Sequence, residues 1–222
     1  MAEFRLHAYW LSGTAYRTRI ALNLKQLEYD VVPVDLPAGA QRSADFLALN
    51  AQGLVPVLEA DGQALFQSMA ILEWLEEAHP SPPLLPAAPF DRARVRAMAN
   101  LIACDIHPLG NLRVLKYLKK TFSADPDGIS HWVQRWIGDG FGALEPLVAQ
   151  GAGTYAFGDS PTFVDCCLVP QVAAAERYGV GMDDFPAIRA VYDRALDNPA
   201  IAAAAPALQP DAPPGRPEAA QA

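Results

Sequence analysis

Five prolines crowd ten residues of this chain, at Pro80, Pro82, Pro83, Pro86 and Pro89. Proline lacks a backbone donor and blocks helix continuation, so the stretch is read as a linker. The patterns on its two sides differ. Before it, short β-type runs alternate with helical ones. Phe4 to Trp10 reads as a strand, Ala15 to Leu27 as a helix with Ile20, Leu24 and Leu27 on one face, and Tyr29 to Val34 as a second strand. Ser43 to Leu49 reads as a short helix with Ser43 as N-cap. Val55 to Ala60 and Gln63 to Phe66 flank Asp61-Gly62, a hairpin signal, and Ser68 to Ala78 reads as a third helix. A strand–helix–strand opening followed by a hairpin implies a small mixed sheet with helices packed on it. After the linker only helical patterns occur: Asp91 to Phe122 as one long amphipathic helix, then Ile129 to Ala149, Pro161 to Arg177 and Pro186 to Leu196. The chain from Pro206 is rich in Pro and Ala and lacks periodicity, so it is expected to be mobile. The expected organisation is an α/β domain over 1–80, a linker over 81–89, an all-α domain over 90–205 and a tail over 206–222.

Composition narrows the function classes. Of 222 residues, 17 are Lys or Arg and 25 are Asp or Glu, a net charge of −8, which is a poor match for a polyanion and argues against nucleic acid. No apolar run approaches the roughly 18 residues of a membrane span. The opening Met1-Ala2-Glu3-Phe4-Arg5 lacks a basic segment followed by an apolar one, so a cytoplasmic location is expected. The three cysteines, Cys104, Cys166 and Cys167, form neither a disulfide framework nor a C-x-x-C zinc pattern, and no metal is expected.

Four local motifs carry chemistry. The first β-to-helix turn, Ser12-Gly13-Thr14-Ala15-Tyr16-Arg17, delivers a hydroxyl to a helix N-terminus. Free N–H groups and the helix dipole there favour an anion, and a thiolate so placed has its pKa lowered by one to several units from about 8.5. No cysteine stands at that turn, so any thiol must be borrowed; the plainer reading is that Ser12 or Thr14 caps the helix. In Leu54-Val55-Pro56-Val57 a cis bond would turn the Val55 amide outward to pair with an extended peptide. Gln67-Ser68 opens a helix, with Ser68 as N-cap candidate or as part of a carboxylate site with Gln67. Thr162 and Asp165 fit a capping box, a device of stability rather than catalysis.

Together these motifs resemble the cytosolic glutathione transferases, from about Phe4 to about Gln209. Ser12-Gly13-Thr14 with Arg17 and Arg19, the run from Gln67 to Glu77, Cys104-Asp105-Ile106-His107-Pro108, and Leu168 to Val172 followed by Glu176-Arg177-Tyr178 are similar to the zeta class and its maleyl-acid isomerases. The resemblance implies a glutathione transferase fold: a thioredoxin-like N-terminal domain with a mixed four-stranded sheet, a cis Val55–Pro56 bond, an all-α C-terminal domain, and a homodimer. It implies glutathione as cofactor, held by Ser12, Gln52, Val55, Gln67, Ser68, His107 and Asn111. Ser12 would face the thiolate with Thr14 beside it, Val55 would pair with the cysteinyl unit, Gln67 and Ser68 would hold the γ-glutamyl carboxylate, and Gln52 and His107 would lie toward the glycyl end. The implied reaction is cis–trans isomerisation of a small maleyl-type diacid in aromatic-compound breakdown, by thiolate addition, bond rotation and elimination. Arg177 matches a family arginine for substrate carboxylate, and Arg113 could contribute, with Lys116 and Lys120 on its helical face. Leu11 stands where these isomerases usually carry a substrate-binding arginine, so the alternative is a transferase or dehalogenase for a less charged electrophile.

Overall fold

The computed structural model describes residues 3–151 and 153–214. The chain divides into two units whose boundary, between Leu84 and Leu85, falls inside the Pro-rich stretch.

The first unit opens with β1 (Phe4–Ala8), α1 (Gly13–Leu24), β2 (Tyr29–Pro33) and α2 (Ala44–Leu49), followed by β3 (Val57–Ala60), β4 (Gln63–Phe66) and α3 (Ser68–Ala78). The sheet order is β2-β1-β3-β4. β1 runs parallel to β2, with Leu6 opposite Val31, and antiparallel to β3, with Leu6 opposite Leu58; β3 and β4 form the expected hairpin. This is the mixed four-stranded sheet that the sequence implies. Leu6, Ile20, Leu58, Ile71, Leu72 and Leu75 are fully buried, and a second cluster of Val34, Phe46 and Val57 packs with Leu49 and Val55. β1 stops at Ala8, short of the expected Trp10, because Tyr9 to Ser12 close a turn in which the Ser12 N–H donates to the Tyr9 carbonyl at 2.9 Å. α1 stops at Leu24 rather than Leu27, because Gln26 takes a left-handed conformation (φ 56°) and the Leu27 N–H returns to the Leu22 carbonyl, a Schellman closure. Ser43 caps α2 as expected. The start of the linker is pinned: the buried Lys25 ammonium donates to Glu76 Oε2 (2.8 Å), His79 O (2.7 Å) and Pro82 O (3.0 Å), so all three of its protons have acceptors.

The second unit is helical: α4 (Pro89–Asn100), α5 (Leu112–Phe122), α6 (Pro126–Gly151), α7 (Phe163–Arg177) and α8 (Pro186–Leu196). The expected single helix from Asp91 to Phe122 is corrected here. It breaks into α4, a π-helical turn over Leu101–Ile106, a 3₁₀ turn over His107–Gly110, and α5. Pro108 supplies the reason: it has no N–H and its ring would meet the carbonyl four residues back, so the α ladder widens before it and restarts at an Asn111 cap. α7 runs through the middle of this unit, with Phe163, Val164, Cys166, Cys167, Leu168 and Val169 fully buried.

The C-terminal boundary also moves. Asn198 to Pro214, including α9 (Pro199–Ala202), belongs with the first unit rather than with the helical domain or a mobile tail. Asn23 Nδ2 donates to the Ala200 carbonyl (2.9 Å) and the buried Arg19 Nε to the Ala204 carbonyl (2.9 Å), contacts that no periodicity in the segment announces. The rest of the expected tail, 215–222, lies outside the described residues. Among the described residues no helix is long and apolar enough to cross a membrane.

Candidate active site

In the first unit, Ser12 sits between the Tyr9–Ser12 turn and the start of α1. Its backbone is extended (φ −68°, ψ 116°) and its Oγ accepts the Ala15 N–H at 3.3 Å, so it is the N-cap. The first turn of α1 holds no acidic side chain, which leaves its positive end unneutralised by a carboxylate of the helix itself. Ser12 Oγ lies 3.0 Å from Thr14 Oγ1, and Thr14 donates its own proton to the Val55 carbonyl at 3.1 Å. Thr14 has one proton and spends it on Val55, so the Ser12 proton occupies the Ser12–Thr14 contact. A thiolate at the half-buried Ser12 would be a stronger acceptor for that proton than the Thr14 hydroxyl. The structure thus joins Ser12, Thr14 and Val55 in one hydrogen-bonded line, and the Val55–Pro56 bond is cis, as the resemblance implies. Leu11, directly before Ser12, is half-buried.

The second cluster of this unit corrects one local expectation. The N-cap of α3 is Gln67, which makes no side-chain capping bond, and Ser68 is the first helical residue, nearly fully buried. No acidic residue stands in the first turn of α3, which suits an incoming carboxylate. Gln67 is held at φ 71°, a conformation that favours glycine, and its Nε2 donates to Gln52 Oε1 at 2.8 Å. Gln52 and Gln67, expected toward different ends of the tripeptide, therefore touch. Asn50 was not among the expected residues. It is buried and fixes the approach to Val55: its Nδ2 donates to the Leu54 carbonyl (2.8 Å) and its Oδ1 accepts the Gln52 N–H (3.0 Å). Its signal is an Asn opening the tight turn Asn50-Ala51-Gln52-Gly53, with Gly53 at φ 63°. Gln67→Gly is expected to raise stability by about 1 kcal/mol through relief of this backbone, while weakening glutathione binding. Thermal melts and calorimetric titration on one preparation check the two opposite changes.

In the second unit, His107, Asn111 and Arg113 share one short stretch. His107 opens the 3₁₀ turn and is half-buried; Asn111 Oδ1 accepts the Arg113 N–H at 3.1 Å and caps α5; the Arg113 side chain is exposed, as are Lys116 and Lys120 on the same face. Arg177 ends α7, half-buried, with its guanidinium 5.4 Å from the Tyr178 ring centroid and at the favourable end of the helix dipole. The π-helical turn before His107 packs on α6 where a side chain is missing: a Cβ on Gly140 would come within 3 Å of the buried Ile106 Cγ1 and Cδ1. Gly140→Ala is therefore expected to destabilise the fold by about 1–3 kcal/mol and to displace the residue preceding His107. Denaturant unfolding, with glutathione affinity measured alongside, checks this. Among the described residues no group of three or more His, Cys, Asp or Glu is placed to hold a metal.

Comparison with known proteins shows the family. Residues 11–78 match the family model of the glutathione S-transferase N-terminal domain and residues 130–194 that of the C-terminal domain. A maleylpyruvate isomerase of a Ralstonia species is 49% identical over 209 residues, covering 93% of this chain and 99% of its own. A maleylacetoacetate isomerase of Pseudomonas aeruginosa is 47% identical over 212 residues, covering 94% and 99%. Among solved structures, the holo form of a maleylpyruvate isomerase described as a zeta-class bacterial glutathione S-transferase superposes with a TM-score of 0.92 at 49% identity, covering 94% of this chain and all of the other. The maleylacetoacetate isomerase of Methylobacterium extorquens AM1, solved with malonate and glutathione bound, gives 0.90 at 37% identity, covering 94% and 99%.

Proposed function

The chain belongs to the zeta class of the glutathione S-transferase family, and from that membership we propose that it is a glutathione-dependent cis–trans isomerase of a maleyl-type diacid, maleylpyruvate or maleylacetoacetate, in aromatic-compound catabolism. The observation that carries the reading is the Ser12–Thr14–Val55 line at the start of α1, a hydroxyl whose proton can turn to a borrowed sulfur. Glutathione supplies the nucleophilic thiol that adds to the cis double bond and leaves once the bond has turned. The chain's own residues ionise, hold and orient. Ser12 donates its proton toward the sulfur, and the open end of α1 favours the negative charge. Thr14 keeps the Val55 carbonyl in place for the backbone of the tripeptide. Gln67 and Ser68 present the start of α3 to the γ-glutamyl carboxylate, with Gln52 braced against Gln67. On this reading the second unit's candidates for glutathione are His107, toward the glycyl end, and Asn111, and its candidates for the carboxylates of the substrate are Arg113 and Arg177.

The reaction needs a reduced thiol, which suits a cytoplasmic setting. The assembly proposed with this reading is a homodimer. The deciding experiment mixes the protein with maleylpyruvate and with maleylacetoacetate, with and without glutathione, and follows loss of the cis diacid. Absence of glutathione-dependent turnover on both rejects the reading. A less charged electrophile is not favoured, since relatives matched over more than nine-tenths of this chain are named for maleyl acids. On this reading Leu11 leaves one carboxylate contact unmade. Leu11→Arg is expected to lower KM for the diacid roughly tenfold, the equivalent of one charge-assisted hydrogen bond, and steady-state kinetics reads the change.

A further inference from the structure

The Tyr9–Ser12 turn is held from outside by a part of the chain 201 residues away at its far end. Trp10, its second residue, is buried, and both of its backbone groups are engaged. Its N–H donates to Asp211 Oδ2 at 2.9 Å. Its carbonyl accepts from Arg19 Nη2 at 3.1 Å, while Nε of the same guanidinium donates to the Ala204 carbonyl at 2.9 Å. Arg19 is fully buried and lies on α1, two turns beyond Ser12. The segment from Ala204 to Asp211 is thus fastened to one residue of the turn that delivers Ser12, directly at Asp211 and through the Arg19 guanidinium at Ala204. Ser12 closes that turn through its own N–H to Tyr9 O.

We propose that Asp211, acting with Arg19, is a positioning residue for the Ser12 hydroxyl: the C-terminal segment clamps the β1–α1 turn and so fixes the direction in which Ser12 donates to the glutathione sulfur. The proposal rests on the glutathione reading of the site. Its physical basis is that a hydrogen bond to a thiolate loses strength steeply with misalignment, whereas the tripeptide's remaining contacts, at Val55, Gln67 and Ser68, do not pass through Trp10. A loosened turn therefore affects ionisation of the sulfur more than binding of the tripeptide.

The test compares Asp211→Ala and Asp211→Asn in the full chain. Asn keeps an oxygen that accepts the Trp10 N–H but removes the charge; Ala removes both. For each protein the pKa of bound glutathione is titrated by ultraviolet thiolate absorbance, and KM for glutathione and kcat for the diacid are measured across pH. The expected result is that Asp211→Ala raises the bound thiol's pKa by about half a unit to one unit, moves the acid limb of the kcat profile with it, and leaves KM for glutathione within about twofold. Asp211→Asn stays near the parent. Equal downward shifts in both variants would mean that only the negative charge of Asp211 matters, and would overturn the proposal. So would an Asp211→Ala protein whose thiol pKa matches the parent, whatever its melting temperature. If the parent protein itself fails to lower the thiol pKa, the glutathione reading of the site fails instead, and the two failures are distinct.

Discussion

Ser12→Ala is expected to lower kcat/KM for the maleyl diacid by about a hundred- to a thousandfold, the loss that follows removal of one preorganised donor from developing or resident negative charge. Most of the effect belongs in the ionisation of the sulfur, so the pKa of bound glutathione should climb toward its value in water. Binding of the tripeptide should persist through Val55, Gln67 and Ser68. The same oxygen also accepts the Ala15 N–H, so the substitution removes a helix cap, worth about 1 kcal/mol. Ser12→Gly separates the two effects. Glycine is tolerated at an N-cap at a cost of a few tenths of a kcal/mol, yet it has no hydroxyl. Both variants should therefore be equally impaired, while only Ser12→Ala melts earlier. Retention of activity in the glycine variant would reduce Ser12 to a capping residue and remove the mechanism's first step.

The largest loss of stability is expected at Asp165, which touches none of the expected site residues. Its carboxylate is fully buried at the start of α7. Oδ1 accepts the Ala156 N–H (2.8 Å), and Oδ2 accepts the Thr162 N–H (2.7 Å) and the Thr162 hydroxyl (3.0 Å). Asp165→Ala strands these donors where water does not reach, and is expected to destabilise the protein by about 3–5 kcal/mol, or roughly 10 °C in melting temperature. Differential scanning calorimetry of the variant checks this. Burial also pushes the Asp165 carboxyl up from 3.8 to about 6, against the lowering effect of the donated bonds from Ala156 and Thr162. The folded state consequently binds this proton more readily than the unfolded chain does. The stability that the protonated carboxyl confers is full below pH 3.8, falls as the pH rises through about 6, and is constant above it. Stability measured from pH 4 to 7 in the parent and in Asp165→Asn should show a falling component that the variant lacks.

Much of the fold is legible in the sequence. The capping box at Thr162 and Asp165, the Ser43 cap, the Asp61-Gly62 hairpin and the α8 boundaries depend on side chains a few residues apart, and local chemistry decides them. The break within Asp91 to Phe122 is not, since amphipathic periodicity continues smoothly past Pro108 while the backbone does not. The cap of α3 is hidden for a related reason: Ser and Thr predict caps statistically, but here the chain turns at Gln67, in a backbone conformation that propensity disfavours. Asn50, which fixes the loop that carries Val55, is visible in sequence only as a turn residue.

The sequence by itself determined the two-part architecture and the residue types offered to a borrowed thiol, because alternation, proline crowding and helix-start motifs are local and survive without long-range contacts. Tertiary structure alone decided that Thr14 turns its proton to Val55, that Gln52 leans on Gln67, and that Asp211 returns to hold the turn before Ser12. These pairs are separated by 41, 15 and 201 residues. No periodicity links such positions; only the closure of the first unit's sheet and helices brings them within hydrogen-bonding distance.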